Sequence, residues 1–114
     1  MALFNKNEIN ISPKILALIN KRRRQIIIHS YLYYKQDTTL IDDFTFDRWC
    51  KELYKLQKDY PRETEKAEFS EAFKSWTGFS GYDLFSHDSM TEVWARFKAL
   101  QLVTFYEKQK NNIC

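Results

Sequence analysis

The strongest constraint on the fold is a regular stripe of large apolar residues between residues 46 and 60. The stripe advances in steps of three, four, three and four residues, through Phe46, Trp49, Leu53, Leu56 and Tyr60. This spacing keeps all the side chains on one face of an α-helix, whereas a strand would divide them between two faces. Turn-forming residues are scarce, with only 2 Gly and 2 Pro in 114 residues. We therefore predict an all-α fold, a small single-domain bundle of about four helices.

Capping residues set the ends of the first two predicted helices. Ser12 suits the N-cap and Pro13 the first position of a helix that should reach about Lys35. Asp42 or Asp43 should cap the second helix, which ends near Tyr60 because Pro61 follows. These two helices form a predicted antiparallel pair within residues 12–61.

Two further helices are predicted in residues 62–114. One should run from Thr64 to Trp76, and one from Ser89 to about Gln109, where Ser89 and Glu92 match the capping-box pattern. The sharpest loop should be Thr77–Gly81, which holds both glycines. On the last helix, the side expected to face the core carries Val93, Trp94, Phe97, Leu100 and Phe105. Residues 1–11 should be an N-terminal tail, and residues 12–114 one helical domain.

Charge and cysteine usage narrow the class of protein. The net charge of +3 is too small to imply nucleic acid, so we expect no direct binding to it. Cys50 and Cys114 fit a reduced cytoplasmic protein, and neither His29 nor His87 has metal-ligand spacing. No segment approaches the roughly 20 apolar residues of a membrane span, so no membrane partner is expected.

The run Lys21-Arg22-Arg23-Arg24 is the main cluster of charge. Four consecutive residues go all the way round a helix, so at least one of these cations must lie near the apolar side. It could extend to water, meet an acidic side chain or reach a bound phosphate. Arg22, Arg23 and Arg24 are therefore candidate contacts for a phosphate or an acidic partner, and a solvated face is the alternative.

Aromatic residues and carboxylates meet where the first two helices join. The first helix ends in His29-Ser30-Tyr31-Leu32-Tyr33-Tyr34, and the second opens with Ile41-Asp42-Asp43-Phe44-Thr45-Phe46-Asp47. Because Asp43 and Asp47 are four residues apart, they share a helix face. An antiparallel pair would form a cleft with flat rings for a planar heterocycle and carboxylates for ribose hydroxyls or a cationic ring. Alternatively, the acids only cap the helix and the tyrosines only pack.

The segment His29–Pro61 resembles the N-terminal Ia domain of NAD-dependent bacterial DNA ligases. It follows that family's pattern H-x-Y-x-Y-Y/H-x-x-D, then I-x-D-x-x-Y-D-x-L, then E-L and a closing Y/H-P. In the family, this domain grips the nicotinamide mononucleotide (NMN) half of NAD. The resemblance implies that NAD or NMN is a ligand, with no cofactor required. It also implies a set of ligand-binding residues, Tyr33, Tyr34, Asp43, Phe46 and Asp47.

The chain departs from the family in ways that limit this interpretation. Phe46 replaces a tyrosine, which keeps the ring but loses the hydroxyl, and Trp49-Cys50 departs from the usual leucine-bearing helix. Beyond Pro61 the sequence does not follow the ligases. The Lys-x-Asp-Gly motif of their nucleotidyltransferase domain is absent. We therefore expect a binding module that is not an enzyme and has no catalytic residues.

Two other functions are compatible with the residues. Small proteins that resemble this domain are typical of phages and mobile elements, which would place the chain in the host cytoplasm. It could then be an inhibitor or modulator of a host protein, with the nucleotide pocket vestigial. The target would be the host ligase, another NAD-using enzyme or a defence nuclease such as a CRISPR effector. A catalytic role for Asp43, Asp47 and His29 is the weakest alternative, since no nucleophile, metal cluster or glycine-rich loop supports it.

Overall fold

Helices make up all the regular secondary structure in residues 11–78, 81–85 and 89–112, which are the residues that the structure, a computed structural model, describes. The elements, in chain order, are α1 (Pro13–Gln36), α2 (Asp43–Asp59), α3 (Pro61–Lys66), a 3-10 turn (Tyr82–Phe85) and α4 (Ser89–Asn112). The prediction of an all-α fold with about four helices is confirmed. None of the helices within the described ranges is both long and apolar enough to cross a membrane.

The ends of α1 and α2 follow the predicted capping chemistry. The backbone N–H of Ile15 donates to the Ser12 hydroxyl at 3.3 Å, and Pro13 occupies the first turn. The N–H of Thr45 donates to the Asp42 carboxylate at 2.6 Å, so Asp42 is the N-cap of α2. At the far end of α1, Asp37 adopts a left-handed conformation with φ 49°, which ends the helix.

Helix α1, with 24 residues, is the centre of the core. It packs against both α2 and α4, and Ile19, Ile26 and Ile27 on it are fully buried. Leu53 of α2 and Ala95 of α4 complete this interior from the two sides. Because α1 packs against α2 on one side and against α4 on the other, this core sets where the end of α1 lies relative to the start of α2.

The predicted third helix, Thr64 to Trp76, is wrong. Helix α3 ends at Lys66, a bend follows at Ala67, and residues 68–75 form consecutive turns. Phe69 has a left-handed backbone with φ 62°, which a continuous helix cannot contain. The backbone N–H of Glu68, which would donate to Thr64 in a helix, donates instead to the Asn20 side chain at 2.8 Å. Contacts with α1 therefore interrupt the helix.

The buried Arg23 links α1 to α2, to α3 and to the segment that follows α3. Its guanidinium donates to the Gln57 side-chain oxygen at 2.8 Å, to the Glu68 carbonyl at 2.7 Å and to the Thr64 carbonyl at 3.2 Å. The group also lies 5.1 Å from the centre of the Phe73 ring. Burial lowers the pKa of Arg23 to about 10, which leaves it protonated at neutral pH. The prediction that one cation of the basic run lies on the apolar side is confirmed.

The predicted buried side of α4 is also wrong. Val93, Phe97, Leu100 and Phe105 are 50%, 67%, 68% and 56% exposed, and only Trp94 of the predicted set packs against the core. The residues buried on α4 are small: Thr91, Ala95 and Ala99. Small side chains let two helices approach closely. Because α4 carries apolar residues on both faces, hydrophobicity alone could not indicate which face packs on α1.

Some predictions fall on residues outside the described ranges. These include the N-terminal tail, of which only Ile11 is described, and the glycine loop at residues 79–80. The proposed cap at Ser89 rests on a side chain that is likewise outside them. The same holds for the surroundings of His87 and Cys114.

Candidate functional site

A pocket of about 480 Å³ opens where α1 ends and α2 begins. Sites for small ligands usually measure roughly 300–1,000 Å³, so the volume suits a nucleoside-sized molecule. The lining comes from the last turns of α1, the connecting segment and the first turn and a half of α2. The lining residues are His29, Ser30, Tyr33, Tyr34, Thr39, Leu40, Ile41, Asp42, Asp43, Phe44, Phe46 and Asp47.

Aromatic rings form one wall of the pocket. Tyr33 and Tyr34 lie edge to face, with their ring centroids 4.8 Å apart. Both rings remain accessible, at 54% and 39% exposure. The ring of Tyr82, from the 3-10 turn, meets Tyr34 edge-on at 5.3 Å. This wall offers flat, electron-rich surfaces on which a planar heterocycle can stack.

Three carboxylates, those of Asp42, Asp43 and Asp47, also line the pocket. Asp43 lies in the first turn of α2 and Asp47 one turn later, where Lys51 Nζ approaches its carboxylate at 3.3 Å. The Asp42 carboxylate accepts the hydrogen bond from Thr45 described above. That bond, together with the positive charge of Arg48, lowers the pKa of Asp42. The acids thus present acceptors for hydroxyl, amide or cationic groups of a ligand.

His29, which is half-buried, also lines the pocket. Its ring packs near Trp49, with the ring centroids 5.6 Å apart. Burial lowers the pKa of His29 below its usual 6.5, so the imidazole is neutral at neutral pH. A neutral imidazole contributes hydrogen bonding without adding positive charge to the pocket.

Ser30, beside His29, is buried, and its hydroxyl has no hydrogen-bond partner within the described part of the chain. It faces Gly81, where the backbone comes so close that a Cβ would collide with the Ser30 side chain. Glycine is therefore required at position 81. This contact holds the 3-10 turn, and with it Tyr82, against the end of α1.

The five residues implied by the resemblance all line this one pocket: Tyr33, Tyr34, Asp43, Phe46 and Asp47. The structure also adds residues that sequence reasoning did not select. Some of them, such as Thr39 and Leu40, lie in the segment that connects α1 to α2. Because this segment is short, its residues could have been expected to lie beside the pocket. No pattern in the sequence indicates Tyr82, which reaches Tyr34 only through the packing of residues 81–85.

The arginines proposed as phosphate or partner contacts lie away from the pocket. Arg22 donates to Glu52 at 3.0 Å, Arg23 is buried as described, and Arg24 forms two hydrogen bonds with Glu68. Each guanidinium therefore has a partner within the chain. Binding of a phosphate or an acidic partner at these residues stays a prediction.

A second, more open groove of about 730 Å³ lies between α1 and α4. Two of its polar residues, Arg24 and Glu68, are paired with each other, and the rest of its floor is largely apolar. Its lining has one carboxylate, that of Glu68, whereas the first pocket has three. No cluster of metal-ligating residues occurs within the described ranges.

Comparisons with known proteins concern this same half of the chain. Residues 12–67, just under half of the sequence, match the family model of the DNA ligase-like, N-terminal NAD+-binding domain. The similarity thus begins before His29 and extends past Pro61. A DNA ligase of Cytophaga hutchinsonii is 44% identical over 46 residues, which cover 40% of this chain and 7% of the ligase. A DNA ligase of Coxiella burnetii is 36% identical over 55 residues, which cover 48% of this chain and 8% of the ligase. No solved structure matches the chain.

Proposed function

We propose, from the similarity of residues 12–67 to the NAD+-binding domain of DNA ligases, that this chain is a binding module for nicotinamide nucleotides. The pocket between α1 and α2 would hold the NMN half of NAD. One observation carries the proposal: the five residues that the resemblance implies converge on a single cavity of suitable size. The matched ligases are far longer than this chain, so their joining activity is not carried over.

Each side of the pocket fits one part of the ligand. The rings of Tyr33, Tyr34 and Phe46 would contact the nicotinamide ring. The Asp43 and Asp47 carboxylates would accept hydrogen bonds from the ribose hydroxyls or the carboxamide. Phe46 supplies a ring face without a hydroxyl, so any polar contact made by a tyrosine there would be lost.

The module would bind without catalysis. The sequence contains no Lys-x-Asp-Gly motif, so it offers no lysine of the ligase type for adenylation. The Ser30 hydroxyl and the His29 imidazole both line the pocket, but within the described ranges no base accepts a hydrogen bond from that hydroxyl, as an activated nucleophile would require. A cytoplasmic location is part of the same proposal, since NAD is abundant there.

Titration of the isotope-labelled protein with NMN and NAD, followed by amide NMR shifts, tests the function. We expect shifts confined to the ends of α1 and α2. The double variant Asp43→Ala, Asp47→Ala should lose these shifts while keeping its helicity by circular dichroism. Unchanged spectra at millimolar NMN would show that the pocket does not bind the nucleotide.

A second candidate is a protein-interaction module, encoded by a phage or mobile element, that inhibits or modulates a host protein. The observation that favours it is the exposure of Phe97 and Leu100 on α4, at 67% and 68%. Exposed aromatic and aliphatic residues on one helix face are typical of interface anchors. Capture of one stoichiometric host protein by the wild type, but not by Phe97→Ser, Leu100→Ser, would support this function. Equal capture by both forms would contradict it.

A further inference from the structure

Helix α4 carries a stripe of exposed apolar residues on the side that faces away from the core. The stripe consists of Val93, Phe97 and Leu100, which follow one another by four and three residues and are each at least half exposed. This spacing puts them on one face of the helix. The buried Ala95 and Ala99 lie on the opposite face, which packs on α1. The α4 stripe is therefore an apolar surface that no element in the described part of the chain covers.

A cavity of about 240 Å³ adjoins the α4 stripe at Leu100. It lies between α4 and the end of α1, and its lining combines apolar side chains with the polar groups of Gln36, Thr38 and Arg96. Sites for whole small molecules usually measure roughly 300–1,000 Å³, so this cavity suits a single inserted side chain better. An apolar helix face beside such a cavity is typical of surfaces that bind an amphipathic helix.

The charges along the same part of α4 are positive. Residues 93–106 include two cations, Arg96 and Lys98, and no carboxylate. Glu92, which precedes this stretch, pairs with Lys35. Arg96 lines the cavity and makes no ion pair within the described part of the chain. A carboxylate supplied by a partner would therefore meet a cation that has no competing acid.

This charge decides which partner fits the α4 stripe. A second copy of the chain would bring the same cations and no carboxylate from this stretch, so Arg96 would stay unpaired and like charges would approach each other. Helices that lie on membranes are rich in lysine and arginine, whereas this stretch has two such residues in fourteen. A flat membrane surface would also leave the cavity unfilled. A helix that carries both apolar residues and carboxylates matches the stripe, the cavity and the cation together.

We propose that the α4 stripe is a docking surface for an acidic amphipathic helix of another protein. The apolar residues of that helix pack on Val93, Phe97 and Leu100, and one of them enters the cavity. A carboxylate beside it accepts hydrogen bonds from Arg96. The stripe lies outside residues 12–67, and none of its residues lines the nucleotide pocket. The inference rests on the second candidate function, for which it names the chemistry of the partner.

A display library of helical peptides tests this chemistry. All its members carry leucine, isoleucine or phenylalanine at alternating spacings of three and four residues, and the flanking positions vary among glutamate, glutamine and lysine. We expect selection on the wild type to enrich glutamate. The selected peptides should bind the double variant Phe97→Ser, Leu100→Ser at least about tenfold more weakly. Arg96→Glu should shift the preference from glutamate to lysine.

Phe105→Ser is the matched control for loss of an exposed aromatic residue from α4. Phe105 is 56% exposed and lies about 100° round the helix from position 104, which continues the face of the stripe. This variant should bind the selected peptides as the wild type does. Circular dichroism checks that each variant keeps its helicity.

Several results would overturn the inference. One is a set of selected peptides without a preference for glutamate, or with equal affinity for the wild type and the double variant. Another is self-association of the wild type that the double variant abolishes, measured by sedimentation. A third is binding to vesicles of phosphatidylcholine and phosphatidylserine that the double variant loses.

The proposed functions fail in different experiments. NMN titration reports on the nucleotide pocket alone, and its outcome does not depend on the α4 stripe. A host protein captured through Phe97 and Leu100 by a helix without acidic residues would support the second candidate function and overturn this inference alone. Selected acidic peptides without any captured host protein would do the reverse.

Discussion

The ring of Tyr82 meets the ring of Tyr34 edge-on, with the two centroids 5.3 Å apart. Tyr34 lines the pocket, and it lies within the segment that is similar to DNA ligases. Tyr82 lies outside that segment, on the 3-10 turn that Gly81 holds against Ser30. The aromatic wall of the pocket is therefore supported by a residue to which the similarity does not extend.

We predict that Tyr82→Ala weakens NMN binding by about two- to tenfold, because an aromatic pair contributes roughly 0.5–1.5 kcal/mol that would otherwise hold Tyr34 in place. Tyr82→Phe keeps the ring and should bind NMN as the wild type does. Tyr106→Ala, an exposed tyrosine on α4, is the control for loss of surface area. Calorimetry measures the affinities, and unchanged binding by Tyr82→Ala would show that Tyr34 needs no support.

We predict that Arg23→Met lowers the free energy of unfolding by about 3 kcal/mol, because it leaves buried acceptors without a donor. The acceptors are the Gln57 side chain and the carbonyls of Thr64 and Glu68. Arg24→Met, which breaks an exposed ion pair, should cost less than about 1 kcal/mol. Urea denaturation measures both variants, and similar losses for the two would contradict the structural role of Arg23.

We predict opposite results for two apolar truncations. Leu53→Ala removes a fully buried side chain and should cost about 2–5 kcal/mol of unfolding free energy. Phe97→Ala removes a side chain that is 67% exposed and should change stability by no more than about 0.5 kcal/mol. Thermal and urea unfolding measure the difference. A large loss of unfolding free energy in Phe97→Ala would instead support the prediction from the sequence, in which Phe97 is on the buried side of α4.

We predict that His29 makes the protein less stable as the pH falls below about 6.5, the usual pKa of histidine in an unfolded chain. Burial lowers the pKa of His29 in the folded protein. Between the two pKa values the unfolded state binds the extra proton, so unfolding becomes easier as the pH decreases and the effect levels off below the folded pKa. The urea midpoint of wild type should therefore fall more than that of His29→Gln between pH 7.5 and pH 5. Parallel pH profiles would show that His29 does not contribute.

Local chemistry in the sequence was sufficient for the helix pair. The cap at Ser12 and the alternative caps at Asp42 or Asp43 lie directly beside the turns that they stabilise, and the structure places α1 and α2 accordingly. The prediction of the third helix was wrong because the end of this helix depends on contacts with Arg23, about 40 residues earlier in the chain. No local pattern can report such a contact. The prediction of the buried face of α4 was wrong for a different reason. Both faces of α4 are apolar, and only the close approach at Ala95 and Ala99 decides which of them packs on α1.

The residues of the candidate site likewise include some that local chemistry predicts and one, Tyr82, that it does not. The acids and rings at the junction of α1 and α2 were predicted because a short connection forces the two helix ends together. The position of Tyr82 was not predictable, because it depends on Gly81 fitting against the buried Ser30. The selected residues were therefore those whose proximity follows from chain connectivity. Tyr82 was missed because its position depends on tertiary packing.

The contacts of Arg23 have a consequence for how the chain tolerates mutation. Two of the three acceptors are backbone carbonyls, at Thr64 and Glu68, and every amino acid carries such a group. Random mutagenesis should therefore find many side chains allowed at these two positions. At position 23 only arginine carries the planar fork of five donors that reaches these three separate acceptors, whereas a lysine ammonium is a compact point charge, so the tolerance there should be low. The residue that constrains the turn after α3 therefore lies on α1 and not in the turn.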